Sequence, residues 1–283
     1  MDHSRAERLW SILHCVFDFF SHPDIITKRG KKGGGSVIDL HCHILPGVDD
    51  GAASITESCM MARLAVESGV TELAATPHYN IPGQQESGGA PFLKEQFLEL
   101  AERFRRENIP LKLHTGMEVF VTPEVPKLIR DKRLLTLGGS RYLLVEFDFD
   151  APRRYADRML EEIAGEGCIP VVAHPERYFF AQEDWDCLLR WAQQGYVLQV
   201  NKGSFFGMFG RRAQRTAHWC LGEGCIHLVG SDAHSPYRRT TRLHDAWAHV
   251  AEWDGPEIAD FLLKENPGRI LQDKPVRAVM AQF

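Results

Sequence analysis

From Ser36 onward, short apolar runs alternate with longer stretches whose apolar residues recur at helical spacing. That alternation marks a parallel α/β fold. Seven runs read as strands, near residues 37–43, 71–75, 111–114, 143–145, 169–173, 196–200 and 226–231. Ser54-Ile55-Thr56-Glu57 has the form of a capping box, opening a helix that Gly69 stops. A second helix carries Leu93, Phe97, Leu100, Ala101 and Phe104 on one stripe and ends before Pro110. Further helices fit residues 154–166, 184–194, 211–223 and 239–253, and residues 81–90 read as a mobile loop beside His78.

Residues 1–35 have a different pattern. Leu9, Ile12, Leu13, Val16, Phe17 and Phe20 follow the spacing of an amphipathic helix. His14 and Asp18 interrupt the run, which is too short for a bilayer span of roughly 20 residues. Asp2 and Glu7 spoil a signal-peptide n-region. The basic, glycine-rich residues 28–35 read as a flexible linker, leaving residues 36–283 as the catalytic unit. The helix either docks on the catalytic unit or makes a peripheral membrane or partner contact.

Bulk composition narrows the class. With 44% apolar and 25% charged residues the 283-residue chain has the balance of an ordinary globular protein. Its net charge of −5 lacks the basic footprint expected for nucleic-acid binding. Seven irregularly spaced cysteines do not make a disulfide framework and fit a reducing cytoplasm.

The chemistry gathers at strand ends. Residues two apart on a strand face one side, so His41 and His43 present two imidazoles to one place while Cys42 faces away. Asp49 and Asp50 follow directly. Later strands end in His78, Glu118, Glu146, His174 and the same-face pair Asp232 and His234. Six strand ends that each deliver His, Asp or Glu are the sequence form of a barrel active site. Imidazole and carboxylate without thiolate suit Mn²⁺, Fe or Zn²⁺. Arg177 and Arg239 lie just past His174 and His234, on loops at the same face, where a guanidinium can grip an anion in two-pronged fashion. Arg238 and Arg242 compete with Arg239 for that role. Asp49 and Glu176 either orient ligands or cap turns. The histidines His3, His14, His22, His114, His218, His227, His244 and His249 lie away from strand ends and read as packing or surface residues.

Across these motifs the chain resembles the PHP (polymerase and histidinol phosphatase) metallophosphoesterases. The shared features are His-x-His, Thr-Pro-His, Gly-x-Glu, Ala-His-Pro-Glu-Arg-Tyr and Ser-Asp-Ala-His, in that order, over residues 36–240. More narrowly it resembles the bacterial capsule and exopolysaccharide tyrosine-protein phosphatases, through residues 45–51, 174–178 and 199–204. The resemblance implies a distorted, TIM-like seven-stranded (β/α) barrel with two or three metals, usually Mn²⁺. By motif position His41, His43, Glu118 and Asp232 would hold the first. Glu118 would bridge to a second with Glu146 and His174, and Asp50, His78 and His234 would hold a third. The resemblance makes the anion gripped by Arg177 or Arg239 a phosphate. The implied reaction is hydrolysis of protein phosphotyrosine, on a membrane-associated bacterial tyrosine kinase that controls polysaccharide synthesis. Lys202 departs from the small residue common in the family, which is expected to alter substrate contacts.

Rival mechanisms are testable within the sequence. None of the seven cysteines is followed six positions later by Arg, which removes a thiol-based tyrosine phosphatase. No Gly-x₄-Gly-Lys-Ser/Thr occurs, which removes a P-loop nucleotidase. A small-molecule phosphatase of the histidinol-phosphate type and a non-catalytic metal-stabilised scaffold remain as alternatives.

Overall fold

The seven strands expected from sequence fall into nine segments, because two of them break near their C-terminal ends. The computed structural model describes residues 36–83 and 89–278. The helix expected over residues 9–20 and its linker lie outside the described residues, as do residues 84–88 of the expected loop.

Strands β1 (Val37–Cys42), β2 (Val70–Ala75) and β4 (Lys112–Thr115) form one parallel sheet in the order β1-β2-β4. Strands β3 (His78–Tyr79), β5 (Glu118–Phe120), β6 (Tyr142–Glu146), β7 (Ile169–Ala173), β8 (Val197–Asn201) and β9 (Leu228–Gly230) form a second parallel sheet in chain order. Thr76 and Pro77 separate β2 from β3, and proline has no N–H to continue a ladder. Gly116 and Met117 separate β4 from β5. Beyond β9 the chain returns to β1 through a parallel bridge between Cys42 and Ala233. There the Asp232 amide donates to the His41 carbonyl at 2.9 Å and the His43 amide to the Ala233 carbonyl at 2.9 Å.

Six helices fall close to where periodicity places them, though the last begins at His244 rather than near residue 239. They are α1 (Ile55–Glu67), α2 (Gly89–Arg106), α4 (Arg153–Gly165), α6 (Asp186–Gln193), α8 (Arg211–Gly222) and α9 (His244–Asp254). The Ser54 hydroxyl accepts from the Glu57 amide, as the capping box requires. Five short helices were too brief for a periodic signal: α3 (Val125–Arg130), α5 (Phe179–Glu183), α7 (Lys202–Phe205), α10 (Pro256–Asp260) and α11 (Asn266–Leu271).

Both faces of β1, β6, β8 and β9 are buried, as in parallel sheets covered on each side. One face reads Tyr142, Leu144, Glu146 along β6 and Val197, Gln199, Asn201 along β8. The β9 row is Leu228, Gly230, Asp232, so the same order recurs: packing residues first, chemistry at the C-terminal end. The apolar members join Ile38, Leu40, Ala74, Val171 and Ala173 in a cluster spanning both sheets. The opposite face, with Leu143, Val145, Val172, Leu198 and Val200, packs on helix residues such as Met159, Leu160 and Leu188. In β1, Leu40 belongs to the first cluster and Cys42 to the second, and the register shifts between Asp39 and Cys42. That irregularity turns His41 and His43 toward the ligand-bearing ends.

Leu144 is 1% exposed in the shared cluster, whereas Leu98 on α2 is 65% exposed. Leu144→Ala is expected to cost about 2–5 kcal/mol in stability. Leu98→Ala should stay within ~0.5 kcal/mol of the parent. Denaturant midpoints of the two variants check the contrast.

Candidate metal centre

His41 on β1 and His43 just past its end set the polarity of the site. His41 Nδ1 lies 2.7 Å from Gln199 Oε1, and His43 Nδ1 lies 2.8 Å from Asp49 Oδ2. Both partners are acceptors, so each Nδ1 donates and each neutral ring turns a lone pair outward at Nε2. The choice of amide orientation follows from a relay. Asp232 Oδ2 can only accept, so Asn201 Nδ2 donates to it. Asn201 Oδ1 therefore accepts from Gln199 Nε2 at 2.9 Å, which leaves Gln199 Oε1 for His41. A carboxylate at one ligand position thus fixes the tautomer of another.

The two Nε2 atoms stand 3.3 Å apart. Each is 3.2 Å from an oxygen of Glu118 and 3.5 Å from Asp232 Oδ1. His78 Nδ1 is 3.2 Å from Glu118 Oε2 and 3.0 Å from Glu146 Oε1. His174 Nε2 is 2.9 Å from Glu118 Oε1 and 3.7 Å from Glu146 Oε2. Asp50 Oδ1 is 3.5 Å from His78 Nε2 and 3.4 Å from His234 Nε2. All nine candidate ligands therefore converge on one nest.

Three groups of donor atoms in the nest lie close enough to share an ion: His41, His43, Glu118 and Asp232; His78, Glu118 and Glu146; His43, Asp50, His78 and His234. The first is the set implied by motif position. In the second, His78 takes the place expected for His174, and in the third His43 joins the expected trio. The donors fit divalent cations on structural grounds. His78 Nδ1 and Glu118 Oε2, both facing the nest, are buried without a hydrogen-bond partner. Such orphan groups are costly unless something positive satisfies them.

Electrostatics point the same way. Burial alone would lower the His41 pKa, yet Glu118 and Asp232 outweigh it and raise it to about 9. Burial likewise opposes protonation of His43, but hydrogen bonds to Asp232, Asp49 and Glu118 raise its pKa well above the usual value. Glu118 and Asp232 are held well below the carboxylate range by these imidazoles, against the upward push of burial. The carboxylates demand positive charge, and a metal can supply it.

Two arginines close the outer side. Arg239 pairs through Nη2 with Asp232 Oδ2, and Arg177 Nη1 lies 3.5 Å from the same oxygen. The Arg177 guanidinium is sandwiched between Phe149 and Phe209, with each ring centroid at 4.3 Å, and Phe209 also lies 5.6 Å from Arg239. Arg242 pairs instead with Glu67 on the exposed side of α1, and Arg238 is exposed. Asp49 does orient ligands: beyond His43 it accepts from the amides of Gly51 and His78. Glu176 holds the β8 end by accepting from the Asn201 amide and the Ser204 hydroxyl. The expectation for Lys202 is corrected. Its buried amine donates to the Arg242 carbonyl and lies 3.8 Å from Asp245, so it ties the loop before α9.

Local backbone bends aim these groups. His174, Asp232 and Arg239 have φ of 36°, 48° and 51°, a region that non-glycine residues enter at a cost of about 1–3 kcal/mol. Gly51 and Gly230 provide the close approaches. A Cβ on Gly51 would stand 2.2 Å from the His43 carbonyl oxygen, and one on Gly230 would stand 2.8 Å from Gln199 Nε2. Sequence reasoning missed Phe149, Phe209 and these bends. Gln199 and Asn201 entered the sequence reading through the 199–204 stretch that carries the family resemblance, with no role assigned to either.

A buried imidazole–carboxylate nest at the C-terminal strand ends of a parallel α/β fold, rimmed by arginines, defines the class of metallohydrolase folds. The model of the family described as capsular polysaccharide synthesis, CpsB/CapC, matches residues 37–272, and the chain belongs to that family. It is 34% identical over 240 residues to the tyrosine-protein phosphatase YwqE of Bacillus subtilis (strain 168), covering 85% of this chain and 93% of that protein. To the tyrosine-protein phosphatase CpsB of Streptococcus pneumoniae it is 29% identical over 243 residues, covering 84% and 99%. A chain from the crystal structures of YwqE and CpsB, described as metal-dependent tyrosine phosphatases, aligns with a TM-score of 0.78 and 33% identity. That alignment covers 85% of this chain and 96% of the other.

The relay generates a graded expectation for metal content, read by elemental analysis after gel filtration. His41→Ala should strip metal from the first group, Gln199→Ala should weaken binding by about 10–100-fold, and Cys42→Ser should match the parent. Metal loss in Cys42→Ser as complete as in His41→Ala would contradict the facing of β1.

Proposed function

We propose that this chain is a metal-dependent protein-tyrosine phosphatase on a distorted seven-stranded (β/α) barrel. Closure of the barrel is supported by the bridge between Cys42 and Ala233 and by one apolar cluster drawn from strands of both sheets. The observation that carries the activity is the convergence of Arg177 and Arg239 on the oxygen of a candidate ligand, Asp232, at the edge of the nest. Two guanidiniums at that edge form a receptor for a phosphoryl group.

His41, His43, Asp50, His78, Glu118, Glu146, His174, Asp232 and His234 would hold two or three ions, with Mn²⁺ the favoured metal and Fe or Zn²⁺ the alternatives. Bound there, the metals supply Lewis acidity for phosphate hydrolysis. Arg177 grips the phosphoryl oxygens, and its position is fixed between Phe149 and Phe209 so that little ordering remains on binding. Arg239 holds the other side and exchanges its pairing with Asp232 for pairing with substrate. The exposed Phe179 and the edge of Phe209 offer an apolar surface of the kind a phenolic ring requires. None of this needs a protein nucleophile. Cys42 is buried in the core, its thiol pushed up by burial, and it serves only packing.

The substrate we propose is a phosphotyrosine segment of a membrane-associated bacterial tyrosine kinase in capsule or exopolysaccharide synthesis, met at the cytoplasmic face. The family assignment and the names of the relatives support this setting. Among the described residues no helix is long and apolar enough to cross a membrane. Residues 1–35 are proposed as a peripheral membrane or partner contact.

Purified protein is expected to dephosphorylate a phosphotyrosine peptide with Mn²⁺, to lose activity on chelation, and to keep it after thiol alkylation. Full turnover after exhaustive chelation, or preference for histidinol phosphate over the peptide, would overturn the reading. Arg177→Ala should lower kcat by about 10²–10³ while the metal content is unchanged.

A further inference from the structure

A cavity of about 360 Å³ opens beside the metal nest, lined by Phe149, Arg177, Phe179, Phe209, Arg211 and Arg212. Arg177 belongs to both places. Its guanidinium is 3.5 Å from Asp232 on the inner side and forms part of the cavity wall on the other. The cavity therefore continues the phosphate receptor and lies within reach of residues that flank a bound phosphotyrosine.

Arg211 and Arg212 open α8 on the far wall. Both are exposed, and among the described residues neither makes an ion pair. Elsewhere on the chain Arg103, Arg105, Arg106, Arg130, Arg153 and Arg190 have carboxylate partners, whereas on α8 Arg215, like Arg211 and Arg212, has none among the described residues. The chain as a whole carries a net charge of −5. Two unneutralised cations beside the substrate path thus create a local field opposite in sign to the protein's own. Phe179, 53% exposed, supplies apolar contact at the same wall.

We propose that this cavity is a specificity subsite that takes an anionic side chain next to the phosphotyrosine in the substrate peptide, held by Arg211 and Arg212. The inference rests on the phosphotyrosine reading of the neighbouring nest. The anionic group is either a carboxylate or the phosphate of a second modified residue. Both satisfy a paired-guanidinium wall, and phosphate does so with more acceptor oxygens. A flanking lysine would instead meet like charge.

The test compares kcat/KM for Mn²⁺-loaded full-length protein on phosphotyrosine peptides flanked on both sides by Ala, Glu, Lys or a second phosphotyrosine. Wild type should favour the Glu peptide over the Ala peptide by about threefold to tenfold, a margin that shrinks as salt is added. Whichever of the Glu and second-phosphotyrosine peptides gives the larger ratio identifies the source of the anion. In the double variant R211A/R212A the ratio should fall toward one. In R211E/R212E it should invert to favour Lys, a gain that a misfolded protein cannot produce. Equal kcat/KM for Glu and Ala peptides in wild type, or an undiminished ratio in R211A/R212A, would overturn the subsite. Failure of wild type to cleave any phosphotyrosine peptide would overturn the underlying function instead.

Discussion

Mutual charge compensation in a buried nest governs this molecule. Glu118 is fully buried between His41, His43, His78 and His174, with an oxygen within 3.2 Å of a nitrogen of each. A carboxylate in that position is expensive unless positive charge surrounds it. The imidazoles supply it only by taking up protons, and the raised pKa values of His41 and His43 record that tendency. Divalent ions resolve the same imbalance while leaving the imidazoles neutral, as ligation requires.

The rest of the fold serves this balance. The apolar rows on β6, β8 and β9 fill the interior below the nest and fix where Glu146, Asn201 and Asp232 emerge. The backbones of His41 and Ser231 are tied by one buried carboxylate: Asp39 Oδ1 accepts from the His41 amide at 3.2 Å and the Ser231 amide at 3.1 Å. That link locks β1 against the approach to Asp232, so the His41, His43 and Asp232 members of the first ligand group, from two distant chain segments, keep little freedom, and Glu118 joins them from β5. Left-handed turns at His174 and Asp232 then aim side chains that a regular strand ending would send elsewhere.

Much of this was legible in the sequence for a physical reason. Period-two alternation specifies a face, so His41 with His43 and Asp232 with His234 declared themselves as pairs. Strand ends rich in His, Asp and Glu have no packing explanation, which made all nine candidate ligands stand out. Which ligand shares which ion was less legible. His78 sits between Glu118 and Glu146 because β3 breaks from β2 at Pro77, a displacement with no signature in spacing. The five short helices escaped because one or two turns carry too few apolar positions to define a period. Phe149 and Phe209 fall in no motif or periodic stripe of the sequence, and only their stacking on Arg177 gives them a role. Lys202 drew attention as a departure from the small residue common in the family, yet its amine turns back toward the loop before α9.

The central claim is that the nest is a multinuclear metal centre with Glu118 at its heart. The most direct measurement is a crystal structure of Mn²⁺-loaded protein, with ions located by anomalous scattering at the manganese edge. The account predicts anomalous peaks only inside the nest, with Glu118 oxygens at about 2.0–2.3 Å from two of them. Peaks lying away from Glu118, or a nest still filled by protonated imidazoles in the presence of excess Mn²⁺, would contradict it.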